Sequence, residues 1–343
     1  MQRVSMKHTH NRILLFCLFL LATACGGTNG SGTNTGGTNG GTASGITIAV
    51  IPKGTSHVFW QSIHAGAQKA ATDLGVNIIW RGPLREDDRD AQVSEVEGFV
   101  SRGISGICLA PLDETALVPP VQEAVRQKIP VVIFDSGLKS SDYVSFVATD
   151  NTKGGRLGGE RLAESIGKKG KVIMLRYAEG HDSTGRREQG FLDAMKEYPG
   201  INVVSSNQYG GADVESAYKK SEALLSTYKK PDGSLDIDGI FTPNESSSFA
   251  MLRVLQDNGW AGKVKFVGFD ASPNLVQGLR DGGLDAIVVQ DPVHMGYTAV
   301  ETMVKHLKGQ PVEKWIDTGV HVATKENMDT PDIKPLIEPA LAK

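Results

Sequence analysis

Five short apolar runs in the 343-residue sequence end in polar or aromatic residues of a consistent kind. Lys53, His57, Phe59 and Trp60 follow the run at 46–51, and Asp135 follows the run at 130–134. Asn244 follows 238–242, Asp270 follows 263–269, and Gln290 closes 284–290. This set contains no nucleophile paired with a base, so it points to reversible recognition rather than covalent chemistry. A sugar hydroxyl is both donor and acceptor. Aspartate accepts, while asparagine and glutamine do both, and the bonds to charged groups are the stronger ones. Phe59 and Trp60 offer a flat apolar surface to the C–H face of a sugar ring, and Lys53 adds a point donor suited to a hydroxyl-rich or partly anionic ligand.

Each of these residues also has a structural reading. Phe59 and Trp60 stand near the start of an amphipathic helix, where at least one is expected in the core. Asp135, Asp270 and Asn244 could cap the helices behind them. Ser272, just before Pro273, is the better cap in its segment, which frees Asp270 for a site. Lys53 could be a solvated loop lysine. The run Arg85-Glu86-Asp87-Asp88-Arg89-Asp90 reads as a solvated helix start. It lacks the alternate acids and the glycine of a calcium loop.

The elements that must position these groups follow from periodicity. Short β-branched runs (46–51, 76–80, 104–110, 130–134, 171–175, 238–242, 263–269, 284–290) alternate with stretches whose apolar residues recur every three or four positions. Ile63, Ala67, Ala70 and Leu74 share one face, and Gly75 stops that helix. Val93, Val96 and Val100 repeat the pattern, as do Leu117, Val121 and Val125. Strand–helix–strand at this pitch predicts an α/β fold with parallel sheets, and strands apolar on both faces predict helices on both sides. The pattern breaks at 142–152 and restarts. Two lobes are therefore expected, one over 46–149 plus about 291–318 and the other over 150–290 plus about 319–343, the last elements crossing back between them. In open α/β sheets ligands bind beyond the carboxyl ends of strands, so two facing lobes would bring the strand-end residues into one cleft.

Thirty-six basic and 39 acidic residues give a net charge of −3. Arg3, Lys7 and Arg12 precede residue 25 without any acid, so the remainder is more acidic still. This argues against a nucleic-acid partner, which needs a basic face. Charge and apolar content are too ordinary for a disordered chain. The sequence lacks GxxxxGK[ST], HExxH and a Cys-pair zinc pattern, and no GxSxG follows a strand. No cofactor, metal or enzymatic activity is expected. Gly154, Gly155, Gly158 and Gly159 (KGGRLGGE) read as helix-packing positions rather than a phosphate loop.

The basic residues before Ile13, the apolar run to Ala22 and the small residues behind it predict an export signal over 1–24. The apolar run is too short to span a membrane. Ala22, Thr23, Ala24 and Cys25 resemble a bacterial lipobox, in which the cysteine is lipidated. Residues 26–45, nearly all Gly, Thr, Asn and Ser, predict a flexible tether with a reach of about 25 Å. Cys17 lies in the signal and Cys25 would carry lipid. Cys108, in an apolar strand, is left as a core residue with no disulfide partner.

From Ile46 to Lys343 the chain resembles the type I periplasmic sugar-binding proteins, the ribose-binding-like receptors of ABC importers. The likeness is carried by IAVIPKGTSHVFWQSIHAGAQKAA (48–71), PVVIFDSG (130–137), ATDNTKGGRLGGERLAE (148–164), RREQGFLDAM (186–195), IFTPNESSSFAMLRVLQ (240–256) and the segment 267–301. The resemblance implies two flavodoxin-like lobes joined by three crossovers, with ligand held at the hinge. Position by position it implies ligand contacts at His57, Phe59, Trp60, Asp135, Asn244, Asp270 and Gln290. It also implies a cleft arginine near the start of the helix at 183–197, at Arg186 or Arg187. Ribose-type members have a small hydroxyl residue where Lys53 stands, Asn where Ala110 stands, and Arg where Ser136 stands. The segments 51–53 and 135–137 look more like the rhamnose- and autoinducer-binding branch. The expected protein is thus a monomeric, lipid-anchored solute-binding lipoprotein that hands a small carbohydrate to an ABC permease. The alternative is a receptor module that presents a sugar or signal to a sensor.

Overall fold

The computed structural model describes residues 45–338. The expected signal, Cys25 and the tether lie outside the described residues. Lobe 1 is built from β1 (Thr47–Ile51), α1 (Val58–Leu74), β2 (Asn77–Trp80), α2 (Arg89–Ser101), β3 (Gly106–Leu109), α3 (Val118–Arg126), β4 (Val131–Phe134) and β5 (Ser145–Ala148). Lobe 2 follows with α4 (Asn151–Ser165), β6 (Gly170–Arg176), α5 (Asp182–Met195), β7 (Ile201–Tyr209), α6 (Val214–Ser226), β8 (Gly239–Phe241), α7 (Glu245–Asp257), β9 (Lys265–Phe269), α8 (Pro273–Arg280) and β10 (Ala286–Gln290). The chain then returns with α9 (Pro292–Leu307), β11 (Trp315–Asp317), β12 (Val320–Ala323) and the short α10 (Lys334–Ile337).

The strands form two six-stranded sheets, in the orders β11-β5-β4-β3-β1-β2 and β12-β10-β9-β8-β6-β7. Five strands of each sheet repeat the flavodoxin-like order, in which the second strand lies outside the first and the third starts the other half. All pairings are parallel except β10 with β12. Because side chains alternate across a strand, each sheet carries two cores. In lobe 1, Ile48 and Val50 pack with Phe134 under α1 and α9, while Ala49 and Ile51 pack with Phe99 and Val121 under α2 and α3. Lobe 2 repeats this with Ile240 and Phe266 under α7 and α8 on one face, and Phe241 and Phe269 beside α4 and α5 on the other. Cys108 is buried in the first of these cores.

Two helix crossings bring backbones into direct contact. At α1–α9, a Cβ on Gly66 would lie 1.9 Å from the Val293 carbonyl oxygen. At α4–α5, a Cβ on Gly155 would lie 1.8 Å from that of Arg187. The glycine run in α4 thus serves packing, with Gly158 against Phe241.

Because β5 and β11 belong to the first sheet and β10 and β12 to the second, with α4 packed on the second and α9 on the first, the chain crosses between the sheets after Ala148, after Gln290 and after Asp317. The first and third of these crossovers bond to each other, while Asp291 in the second caps α9 by accepting from His294 N at 2.9 Å. The Thr149 hydroxyl donates to the Gly319 carbonyl at 3.2 Å, and Asp317 Oδ1 accepts from Asp150 N at 3.2 Å and from Gly319 N at 3.0 Å.

Candidate ligand-binding cleft

The carboxyl ends of both sheets face each other, and the side chains that emerge there line one cavity between the lobes. Lobe 1 contributes Lys53, His57, Phe59, Trp60, Glu86 and Asp135, and lobe 2 contributes Ser183, Thr184, Arg187, Asn244, Glu245, Asp270 and Gln290. The lobes are closed, and the cavity measures about 20 Å³, close to the space needed by one water.

Lys53 stands past β1 with its ammonium 3.0 Å from Asp135 Oδ2 and donates to Ser183 Oγ of the other lobe at 2.8 Å. It is buried, which overrules the reading as a solvated loop residue. His57 Nδ1 lies 2.6 Å from Glu86 Oε1. Burial would lower the imidazole pKa, but Glu86 overrides it and raises the value from 6.5 to about 9. Burial likewise acts to raise Glu86, yet His57, Lys53 and the Trp60 indole hold its carboxyl well below the usual range. Trp60 Nε1 donates to Glu86 Oε1 at 2.8 Å and the Tyr177 hydroxyl of lobe 2 donates to Oε2 at 3.0 Å. Phe59 and Trp60 are both buried, edge to face with ring centroids 5.0 Å apart. Both line the cavity while packing into the lobe 1 core, so the core and cavity readings hold together.

In lobe 2, Asp270 Oδ1 accepts from Gln290 Nε2 at 2.7 Å, and Oδ2 accepts from Glu245 N at 3.2 Å. Arg187 Nη1 stands 3.6 Å from Oδ2. Burial pushes the Asp270 carboxyl up, against the pull of Arg187 and Gln290. Arg187 is held by Asn151 Oδ1 at 2.7 Å and the Pro243 carbonyl at 3.0 Å, with its guanidinium 4.0 Å from the centre of the Phe269 ring. Gln290 Oε1 is buried without a hydrogen-bond partner, an acceptor suited to a ligand hydroxyl. Asn244 lines the cavity and also caps α7, accepting from Ser247 N at 3.3 Å. The cap is thus observed, on a residue that also lines the cavity. Asp270 is not a helix cap, since Ser272 occupies that position of α8.

Arg186 and Arg187 are separated. Successive helical residues point about 100° apart, so only one of them can face the cavity. Arg187 does, whereas Arg186 is largely exposed and pairs with Asp182 at 2.8 Å. Arg186 is therefore corrected to a surface residue. The run 85–90 is corrected as well: Asp88 caps α2, but Glu86 turns inward and is buried, because three donors converge on it. The strand-end rule applied to β2 would have drawn attention to that loop. Ser183, Thr184 and Glu245 had no signal beyond their nearness to Arg187 and Asn244. Ser136, in the place of the ribose-type arginine, accepts from Ser183 N across the cleft at 3.1 Å.

Two lobes of parallel sheet closed over a polar cavity at their strand ends have the architecture of a two-lobed binding protein. The periplasmic binding protein domain family matches residues 48–311. The ribose import binding protein of Salmonella typhimurium is 31% identical over 268 residues, 78% of this chain and 86% of that protein. A carbohydrate transporter solute-binding protein from Agrobacterium radiobacter, solved with D-arabinose, superposes with a TM-score of 0.81 at 34% identity, covering 85% of this chain and 99% of that one. An ABC transporter solute-binding protein from Agrobacterium vitis, solved with D-fucose, gives 0.81 at 36% identity with the same coverage. The chain belongs to the type I periplasmic sugar-binding proteins and is a solute-binding protein, not an enzyme. Among the described residues, no helix is long and apolar enough to cross a membrane.

Proposed function

We propose that the protein captures one neutral, monosaccharide-sized carbohydrate between its lobes and presents the closed form to an ABC permease. The observation that carries this reading is the composition of the cavity. Three cations (Lys53, His57, Arg187) already face carboxylates of their own, and four carboxylates line the same space. An anionic ligand would add unmatched negative charge. A hydroxylated one supplies donors to carboxylates and to Gln290 Oε1, and acceptors to Lys53 and Arg187. A cavity of about 20 Å³ admits a sugar only when the lobes part, so binding couples to opening and closing about the crossovers.

The sugars bound by the relatives make the first panel. Titration calorimetry of the purified protein with D-ribose, D-arabinose, D-allose, D-fucose and D-tagatose is expected to show saturable binding of at least one, and weaker binding of the matching uronates. Silence across the panel, extended to polyols and furanosyl signals, would remove the carbohydrate reading. We further propose export and anchoring through lipid on Cys25, with the protein acting as a monomer. Cys25→Ala should release the protein from the membrane fraction in a cell that performs lipoprotein processing.

A further inference from the structure

Helix α1, which carries Phe59 and Trp60, begins without a cap of its own. His57 in the cap position makes no side-chain bond to the helix backbone, and the first turn holds no acidic residue. A helix start leaves four backbone N–H groups without intrahelical partners. Here two of them are satisfied from the opposite lobe: Val58 N donates to Glu245 Oε1 at 3.2 Å, and Phe59 N donates to Oε2 at 3.0 Å. Glu245 is the first residue of α7, and its own N–H is held by Asp270 at 3.2 Å. Its carboxylate therefore lies between the positive ends of two helices, one from each lobe.

We infer that Glu245 is a positioning residue that docks the aromatic helix of lobe 1 onto lobe 2 when the cleft closes. Opening separates Glu245 from α1 and leaves Val58 N and Phe59 N to water, so the contact exists only in the closed form. Through Asp270 the same residue is tied to the lobe 2 side of the cavity. A group on the ligand that engages Asp270 thus acts on the backbone that aims the Glu245 carboxylate at α1. The use of this contact in transport rests on the binding reading above, but the contact itself is tested without sugar.

The test is amide hydrogen exchange, without sugar, on protein held closed by a disulfide across the mouth of the cleft, comparing wild type, Glu245→Gln and Glu245→Ala in that background. Removing a helix cap weakens the helix start by an amount that corresponds to roughly 3- to 30-fold in an equilibrium constant. Exchange at Val58 and Phe59 is expected to accelerate by that factor in Glu245→Ala, and by less in Glu245→Gln, which keeps one acceptor. Exchange at the middle of α9 should not change. A role confined to α7 predicts acceleration along 246–250 with Val58 and Phe59 untouched, and that pattern overturns the inference. So do equal rates at Val58 and Phe59 in all three proteins. Should Glu245→Ala lose protection throughout lobe 2, the Gln variant decides by the same criterion. Absence of binding across the sugar panel is a separate result and leaves this comparison intact.

Discussion

Asp135 in lobe 1 and Asp270 in lobe 2 occupy matching places. Each follows a phenylalanine at the end of the fourth strand of its lobe, each has a positive φ (61° and 66°), and each donates its N–H to the next strand, to Val147 and Val288 respectively. Aspartate tolerates this left-handed conformation better than most residues. The difference lies in what surrounds them. Asp270 is engaged by Gln290, by Glu245 N and by Arg187, all from its own lobe. Asp135 faces Lys53, whose other partner is Ser183 across the cleft. The rest of the lobe 1 rim is also completed from outside: α1 by Glu245, Glu86 by Tyr177, and Gly137 N by Asp182 at 3.0 Å. Lobe 2 is thus the preorganised half of the cleft, and lobe 1 is the half assembled by closure. Groups held before the ligand arrives lose little freedom on binding and give more affinity.

The sharpest test of this asymmetry is the pair Asp270→Asn and Asp135→Asn. Asparagine keeps the shape and tolerates positive φ, while the charge is lost. Asp270→Asn should cost about 2–4 kcal/mol of sugar affinity, since Arg187 is left buried beside a neutral group. Asp135→Asn should cost about 1–2 kcal/mol, because Lys53 retains Ser183. Equal losses in calorimetry would break the comparison.

Next in size is Gly155→Ala, which forces apart the crossing directly behind Arg187. Overpacking of this kind costs about 1–3 kcal/mol, readable in denaturant unfolding. Sugar affinity should fall with stability because Arg187 moves. Gly66→Ala should cost similar stability at the α1–α9 crossing, and it should act on affinity through Phe59 and Trp60.

A pH effect belongs to lobe 1. The His57 pKa is raised from 6.5 to about 9 in the folded protein. The stability contributed by its pair with Glu86 is therefore fully present below pH 6.5 and lost as pH rises through about 9. Wild type should lose melting temperature across that interval more steeply than His57→Gln, and parallel curves would show that the pair contributes nothing. The smallest effect is expected for Arg186→Ala. Its exposed pair with Asp182 is worth at most about 0.5 kcal/mol, so affinity should hold where Arg187→Ala loses it.

Much of this arrangement was legible in the sequence because it rests on local period. The runs that became β1, β4, β9 and β10 are apolar on both faces, and the residues just past them had to reach the strand ends. Less was legible where local pattern is weak. Strand β7 is polar over Ser205–Gln208 and half exposed at the edge of its sheet, so it lacks the apolar signature of the inner strands. Val125 keeps helical spacing yet ends exposed at the end of α3. Glu86 looked like its charged neighbours because Tyr177, which helps to bury it, is 91 positions away. The choice between Arg186 and Arg187 depended on the rotation of α5 about its axis, which one turn of polar sequence does not fix.

The laced crossovers bear on how cargo can leave. Two of the three straps, stitched to each other through Thr149, Asp150, Asp317 and Gly319, behave like a leaf spring: they flex together but resist sliding past one another. A hinge laced in this way favours gaping on the side away from the straps. A transporter that empties the protein must therefore grip both jaws at that mouth, and a disulfide spanning the mouth should trap the sugar where a disulfide among the straps would not.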